Sequence, residues 1–166
     1  WIDGLSTLTQ AMDSSDLNEA EAALSTFAKI SEDMPEELDA CEIQGMRPLD
    51  VLIPKLLHAT AHADARIRVH ALNSLNQFIQ IGSPSMSANM DAYVAVLFQR
   101  ATDERPIVRK FVCKALVYVL STWPEKLAPD MNSVVEYMLY STQDSDEDVA
   151  LEAAEFWLQF AEELSL

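Results

Sequence analysis

The sequence predicts an all-α fold, an α-α superhelix of paired helices, and three observations carry that prediction. Apolar residues recur at steps of three and four almost throughout, and strict alternation is nearly absent. Glycine is scarce: Gly4, Gly45 and Gly82 are the only three in 166 residues, too few for the turns and βα loops of a sheet-rich or α/β domain. The helical pattern also returns at a fixed interval. With 49% hydrophobic residues the chain is long enough and apolar enough to bury a core.

The elements follow in order. Ile2, Leu5 and Leu8 make one face, Asp13 to Asp16 a polar hinge, and Ala20, Ala23, Leu24, Phe27 and Ile30 a second face. Leu49, Leu52, Ile53, Leu56 and Leu57 are followed by the hinge His62 to Ala65, then by Ile67, Ala71, Leu72, Leu75, Phe78 and Ile79. Tyr93, Val94, Leu97 and Phe98 precede the hinge Asp103 to Pro106 and the face Val108, Val112, Ala115, Leu116, Val119 and Leu120. Met131, Val134, Val135, Met138 and Leu139 precede Asp144 to Asp148, then Val149, Ala153, Phe156, Trp157 and Phe160. Prolines 48, 84, 124 and 129 fall in linkers or first turns, where a missing N–H costs little. Pro54 lies inside an apolar face and is expected to bend or restart its helix. Asp16, Asp64, Asp103 and Asp146 are placed to cap or charge the start of a second helix.

The interval can be read from matching positions. Arg68, Arg109 and Ala150 each lie six residues after a hinge residue, His62, Asp103 and Asp144. The step from Arg68 to Arg109 equals the step from Arg109 to Ala150. Ala20 takes the same place one unit earlier, but its step to Arg68 is longer by about seven residues, so an insertion is expected near Asp39 to Gly45. Two helices in a period of about 41 residues is the HEAT or armadillo spacing and is longer than ankyrin or TPR units. Two helices per unit favours a HEAT-repeat solenoid, read as one array over 1–166 with repeats near 1–39, 46–82, 86–123 and 128–166. In such a stack Arg68 and Arg109 are expected to reach neighbouring hinges and form a ladder with Asp103 and Asp144. Trp157 is expected in the core. Both end faces, Trp1 to Leu8 and Phe156 to Leu164, are expected to expose apolar surface.

Catalytic and cofactor chemistry is thin. No glycine-rich phosphate cradle is present. His58 and His62 have metal spacing, but the Glu of a metalloprotease helix is missing and Asp64 is the only third ligand at hand. Two solvated histidines at a helix end account for them. Cys41 and Cys113 are far apart, forming no CxxC, so a reduced intracellular chain is expected. Cys113 reads as a buried structural thiol. No catalytic residue, metal or cofactor is expected, and no enzyme activity. No apolar run approaches the roughly 18 residues that a membrane-spanning helix needs. No signal peptide is visible. Beginning at Trp1 rather than Met, the chain is expected to be a segment of something longer.

The 27 acidic and 11 basic residues leave a net charge of −16, which argues against nucleic acid and anionic membrane and favours a basic partner. Residues 1–50 hold 12 acids and 2 bases, residues 51–100 hold 2 and 4, and residues 101–166 hold 13 and 5. Two acidic patches thus flank a near-neutral middle.

Several stretches resemble the importin-β family of nuclear transport receptors, in particular its karyopherin-β2 branch. They include Arg47-Pro48-Leu49 with Leu52 to Lys55, Asp103-Glu104 with Val108-Arg109-Lys110 and Val112-Cys113, and Val135 to Leu139. The most specific is Thr142-Gln143-Asp144 followed by Asp146-Glu147, Val149 to Ala153 and Glu155 to Leu158, because a HEAT core does not dictate so many polar identities. The resemblance implies an N-terminal-arch segment of a non-enzymatic import receptor that shuttles between cytoplasm and nucleus. It implies that the family's cargo, with proline-tyrosine nuclear localisation signals, binds mainly outside this segment. It also implies nucleoporins as partners, and that this stretch contributes to the Ran-GTP surface. A HEAT scaffold of another class, such as a phosphatase regulatory subunit or another adaptor, is the alternative; the 142–158 block favours transport.

Threading the period gives columns on the inner face of the second helices: His70, Phe111 and Glu152; Asn73, Lys114 and Glu155; Gln77, Tyr118 and Gln159; Gln80, Ser121 and Glu162. With Asp148 at its start, Glu152, Glu155, Gln159 and Glu162 form an acidic stripe on the last helix. Glu32, Asp33 and Glu36 form the matching acid in the first repeat, with Phe111 and Tyr118 as apolar anchors. The resemblance makes Ran-GTP the expected partner of these ten residues.

Overall fold

The computed structural model describes residues 2–164, and Trp1, expected at an exposed end, lies outside them. Among the described residues the protein is built of helices, with one isolated bridge between Ile43 and Met46. It divides into two compact units, Trp1–Asn89 and Met90–Leu166.

In the first unit, helix α1 (Ile2–Ala11) leads through a short hinge into α2 (Leu17–Asp33), and α3 (Pro35–Ala40) follows at once. Helix α4 (Leu49–Ala59) pairs with α5 (Ala65–Gln80), and the short α6 (Pro84–Ser87) closes the unit. The second-position helices α2 and α5 pack on each other, with Phe27 and Phe78 in ring contact at 6.4 Å and both fully buried. Leu24, Leu52, Ile53, Leu56, Leu72 and Leu75 fill the space around them. The predicted insertion is α3 and the turn after it. Gln44 and Gly45 take left-handed φ values of 53° and 79° between the paired Ile43 and Met46, a two-residue hairpin turn. Asp39 holds this excursion down: its carboxylate meets the Arg47 guanidinium at 2.9 Å and accepts the Ser83 hydroxyl.

Helix α5 ends in a Schellman motif. Gly82 (φ 65°) donates to Ile79 O and Ser83 N donates to Phe78 O, which satisfies carbonyls the helix leaves open. Helix α4 runs unbroken through Pro54, contrary to the expected restart. Pro54 is exposed, so water can satisfy the carbonyl that loses its intrahelical donor.

In the second unit, α7 (Met90–Arg100) pairs with α8 (Pro106–Thr122). Two 3₁₀ turns, Pro124–Lys126 and Ala128–Asp130, lead to α9 (Met131–Ser141) and α10 (Glu147–Leu164). Helix α8 packs chiefly on α10. Val112, Leu116, Val119, Val134, Met138 and Phe156 are all 2% exposed or less. Trp157 is only half-buried, not core as expected. Val149, Ala153 and Phe156 form the inward row of α10, and Trp157 stands beside it, edge-on to Phe156 at 5.5 Å and to Phe160 at 6.1 Å. Of the apolar end stretches expected, Leu158 and Leu164 are exposed by 63 and 73%, whereas Phe156 is fully buried and Leu5 is 6% exposed.

Phe156→Ala is therefore expected to destabilise the chain by about 3–5 kcal/mol, and Trp157→Ala by less. Urea unfolding midpoints of the two variants check the order; a larger loss for Trp157→Ala would contradict it.

Candidate partner-binding surface and its hinges

The expected partner-binding residues fall into two groups, one in each unit. In the first, Glu32 and Asp33 end α2 and Glu36 begins α3, all exposed. Lys29 pairs with two of them, at 3.4 Å to Glu32 and 2.9 Å to Asp33, and the Asn73 amide of α5 donates to Glu32 at 2.6 Å. Glu36 makes no ion pair with a described residue.

In the second unit, Asp148, Glu152, Glu155, Gln159 and Glu162 share one stripe of α10 by their spacing of four, three, four and three. Asp148 is bound to Lys110 of α8 at 3.1 Å. Glu152 is half-buried, and half-buried Gln159 donates to Glu163 at 3.4 Å. Glu155 and Glu162 are exposed and pair with no described cation. Phe111 and Tyr118 lie two turns apart on α8, both half-buried, and the Lys114 ammonium stands 5.9 Å from the Tyr118 ring centre. The column that includes His70 is not free surface: its Nε2 meets Glu21 of α2 at 2.8 Å.

The hinges that aim these helices share one construction. Ser14 Oγ, His62 Nδ1, Asp103 Oδ1 and Asp144 Oδ1 each accept the backbone N–H two residues on. These four occupy the same place in successive repeats. Two residues later, Asp16, Asp64 and Asp146 cap α2, α5 and α10. Asp103, expected as a cap, is the earlier hinge acceptor; Arg105 holds the cap position of α8 without a side-chain bond, and Pro106 follows at the first helical position. His62 is thereby engaged in a turn. Among the described residues no three metal-binding side chains converge.

Of the expected ladder the Arg109–Asp144 rung is formed, and both arginines also bind their own hinges. Arg68, 5% exposed, donates to its own hinge carbonyls, His62 O and Ala63 O, at 2.9 Å each. Arg109 does the same to Asp103 O at 2.8 Å and also reaches the next hinge, where Nε and Nη2 each meet Asp144 at 2.9 Å. The Arg109 hydrogen bonds hold the Asp144 carboxyl below the ordinary carboxylate range, against the opposing effect of burial. At the exposed end of α5, the Arg66 side chain likewise lowers Asp64 to about 2. Burial pushes the Cys113 thiol up to about 11, with its sulfur 3.8 Å from the Tyr137 hydroxyl. Sequence spacing marks the Arg column and the acids. The own-hinge carbonyl bonds have no side-chain signature, and sequence reasoning misses them.

A family model described as dynein axonemal assembly factor 5-like, TPR repeats, matches residues 40–164. The chain belongs to that family of helical repeats. Its own helix pairs recur at about 41 residues, the HEAT length rather than the shorter TPR one. Importin subunit beta-2 of Schizosaccharomyces pombe is 47% identical over 166 residues, all of this chain and 18% of that protein. Transportin-1 of Mus musculus is 44% identical over 163 residues, and transportin of Dictyostelium discoideum 37% over 157. They cover 98% and 95% of this chain, and it covers 18% and 17% of them. The chain thus spans less than a fifth of the curated relatives it matches, and the resemblance to the importin-β receptors holds across its whole length. An engineered protein of known crystal structure shares the fold, with a TM-score of 0.75 and 22% identity over 95% of this chain and 62% of its own.

Two outcomes follow from this geometry. Asp144→Asn is expected to cost about 1–3 kcal/mol at neutral pH, because it strips a charged acceptor from half-buried Arg109. A carboxyl whose pKa is lowered by folding stabilises above its unfolded value and loses that contribution as pH falls through the folded one. The deficit against the parent chain should therefore shrink below about pH 4, which unfolding curves across pH will show. Cys113 should resist a thiol reagent at about pH 8 in the folded chain and react on unfolding; equal rates in both states would contradict its burial.

Proposed function

We propose that this chain is a non-enzymatic part of a nuclear import receptor's binding scaffold, arranged as four HEAT-type repeats near 1–39, 46–82, 86–123 and 128–166. The observation that carries the proposal is the 47% identity to an importin subunit beta-2 over the entire chain. In this reading Ran-GTP is the partner. Glu155 and Glu162 are its main electrostatic contacts in the second unit, with Glu152, Gln159 and Asp148 alongside and Phe111 and Tyr118 as apolar ones. Glu36, Glu32 and Asp33 contribute in the first unit. Exposure and lack of a lysine partner support Glu155, Glu162 and Glu36 over Asp148, which pairs with Lys110, and over Glu32 and Asp33, which share Lys29. Cargo with proline-tyrosine signals engages repeats outside this segment, nucleoporins bind the receptor in transit, and the receptor shuttles between cytoplasm and nucleus.

Charge reversal tests the surface. Glu155→Lys with Glu162→Lys, in a full-length receptor carrying this segment, should slow Ran-GTP association about ten-fold at low salt and flatten its salt dependence. Both positions are exposed, so folding should be unaffected. Unchanged rates and salt slope would show that the stripe is only a solvated face.

A further inference from the structure

Ser145 lies in the hinge between α9 and α10, outside both helices, and is exposed. Its hydroxyl bonds no described residue, whereas the hinge hydroxyl of Ser14 is engaged by Asp16 N and Glu19. The three residues after Ser145 are Asp146, Glu147 and Asp148. The other hinge hydroxyls lack that run: Ser15 precedes Asp16, Leu17 and Asn18, and Thr102 precedes Asp103, Glu104 and the basic Arg105. An enzyme with a basic substrate groove selects successive carboxylates beside an accessible hydroxyl by charge complementarity. We infer that Ser145 is a phosphorylation site for an acidophilic serine/threonine kinase.

The segment can reach such an enzyme. Asp146 caps the first turn of α10 through Asp148 N at 3.1 Å and Val149 N at 3.3 Å, Asp144 Oδ1 accepts the Asp146 N–H at 2.9 Å, and Ser145 lies between these two anchors with its side chain exposed. Ser145, Glu147 and Asp148 are all exposed, so an enzyme reaches the hydroxyl and the carboxylates after it without the helix opening. In the transfer, Ser145 Oγ attacks the γ-phosphorus of ATP. The new O–P bond forms as the bond to the β–γ bridging oxygen breaks. ADP leaves with that electron pair, and the hydroxyl proton passes to the kinase's catalytic carboxylate. The product adds about −1.5 to −2 of charge at neutral pH. It does so in a groove that Ser145 shares with Glu104, Arg109 and Asp144, where phosphate oxygens compete with Asp144 for the guanidinium. None of this depends on the partner proposed above.

The folded chain, incubated with recombinant casein kinase, ATP and Mg²⁺ and analysed by peptide mass spectrometry, should carry phosphate on Ser145. Ser145→Ala should abolish that incorporation, and Glu147→Gln with Asp148→Asn should slow it about ten-fold. Phosphate confined to other residues, or undiminished in Ser145→Ala, overturns the inference. So does phosphorylation of a peptide of residues 140–152 with none of the folded chain, because the hinge would then be shielded.

Discussion

One guanidinium organises the second unit. Arg109 closes the α7–α8 hinge by binding the Asp103 carbonyl and holds the α9–α10 hinge through a two-point bond to Asp144. Asp144, whose side chain is 7% exposed, is a charge that would be costly without that partner. Because it is fixed, it also fixes Asp146, whose backbone N–H it accepts. Asp146 in turn caps α10. The direction in which α10 leaves its hinge, and with it the placement of Glu155 and Glu162, descends from this chain of contacts. Hydrophobic packing of Phe156 and Ala153 on α8 supplies most of the adhesion, but it is non-directional and does not by itself choose a register.

The first unit reaches a comparable hinge with different residues. Arg68 closes on its own hinge carbonyls, and the hinge acceptor is a histidine nitrogen in place of a carboxylate. Imidazole Nδ1 and carboxylate Oδ1 both accept an N–H at short range, so the turn tolerates the exchange. The inserted residues are accommodated where α2 ends. There α3 and a left-handed turn lengthen the connection, and Asp39 ties it to Arg47 and Ser83. An insertion on the surface lengthens a loop at small entropic cost, so the repeat register of α4 and α5 survives it.

Helix pairing and hinge position are legible in the sequence because apolar period and the Asp-rich hinges are both written in side-chain identity. The hinge column Ser14, His62, Asp103, Asp144 is legible only as spacing. Its chemistry joins a hydroxyl, an imidazole and two carboxylates, which look unrelated until the shared acceptor role is seen. Trp157 departs from its expected place for a different reason. Two adjacent aromatics, Phe156 and Trp157, both suit an apolar row, and a difference of one residue turns a helix position by about 100°. His70 reads as free surface because its partner, Glu21, lies 49 residues away, beyond any local pattern. The acidic stripe on α10 is legible as a helical face; that Lys110 and Lys29 already neutralise part of the candidate acid is not.

That neutralisation decides how the acidic composition should be read. Asp16, Asp64 and Asp146 are spent on caps, Asp144 on Arg109, Asp39 on Arg47, and Asp33 and Asp148 on lysines. The same division applies inside the 142–158 block. Thr142, Asp144 and Asp146 have structural partners, so folding alone gives each of them a role. Glu155 is exposed and does nothing for the fold that the contacts reveal. A solvated helix position tolerates many residues at little change in stability. In the proposed reading Glu155 is the part of the block that meets the partner, and it lies on the same stripe as Glu162, which like it is exposed and pairs with no described cation.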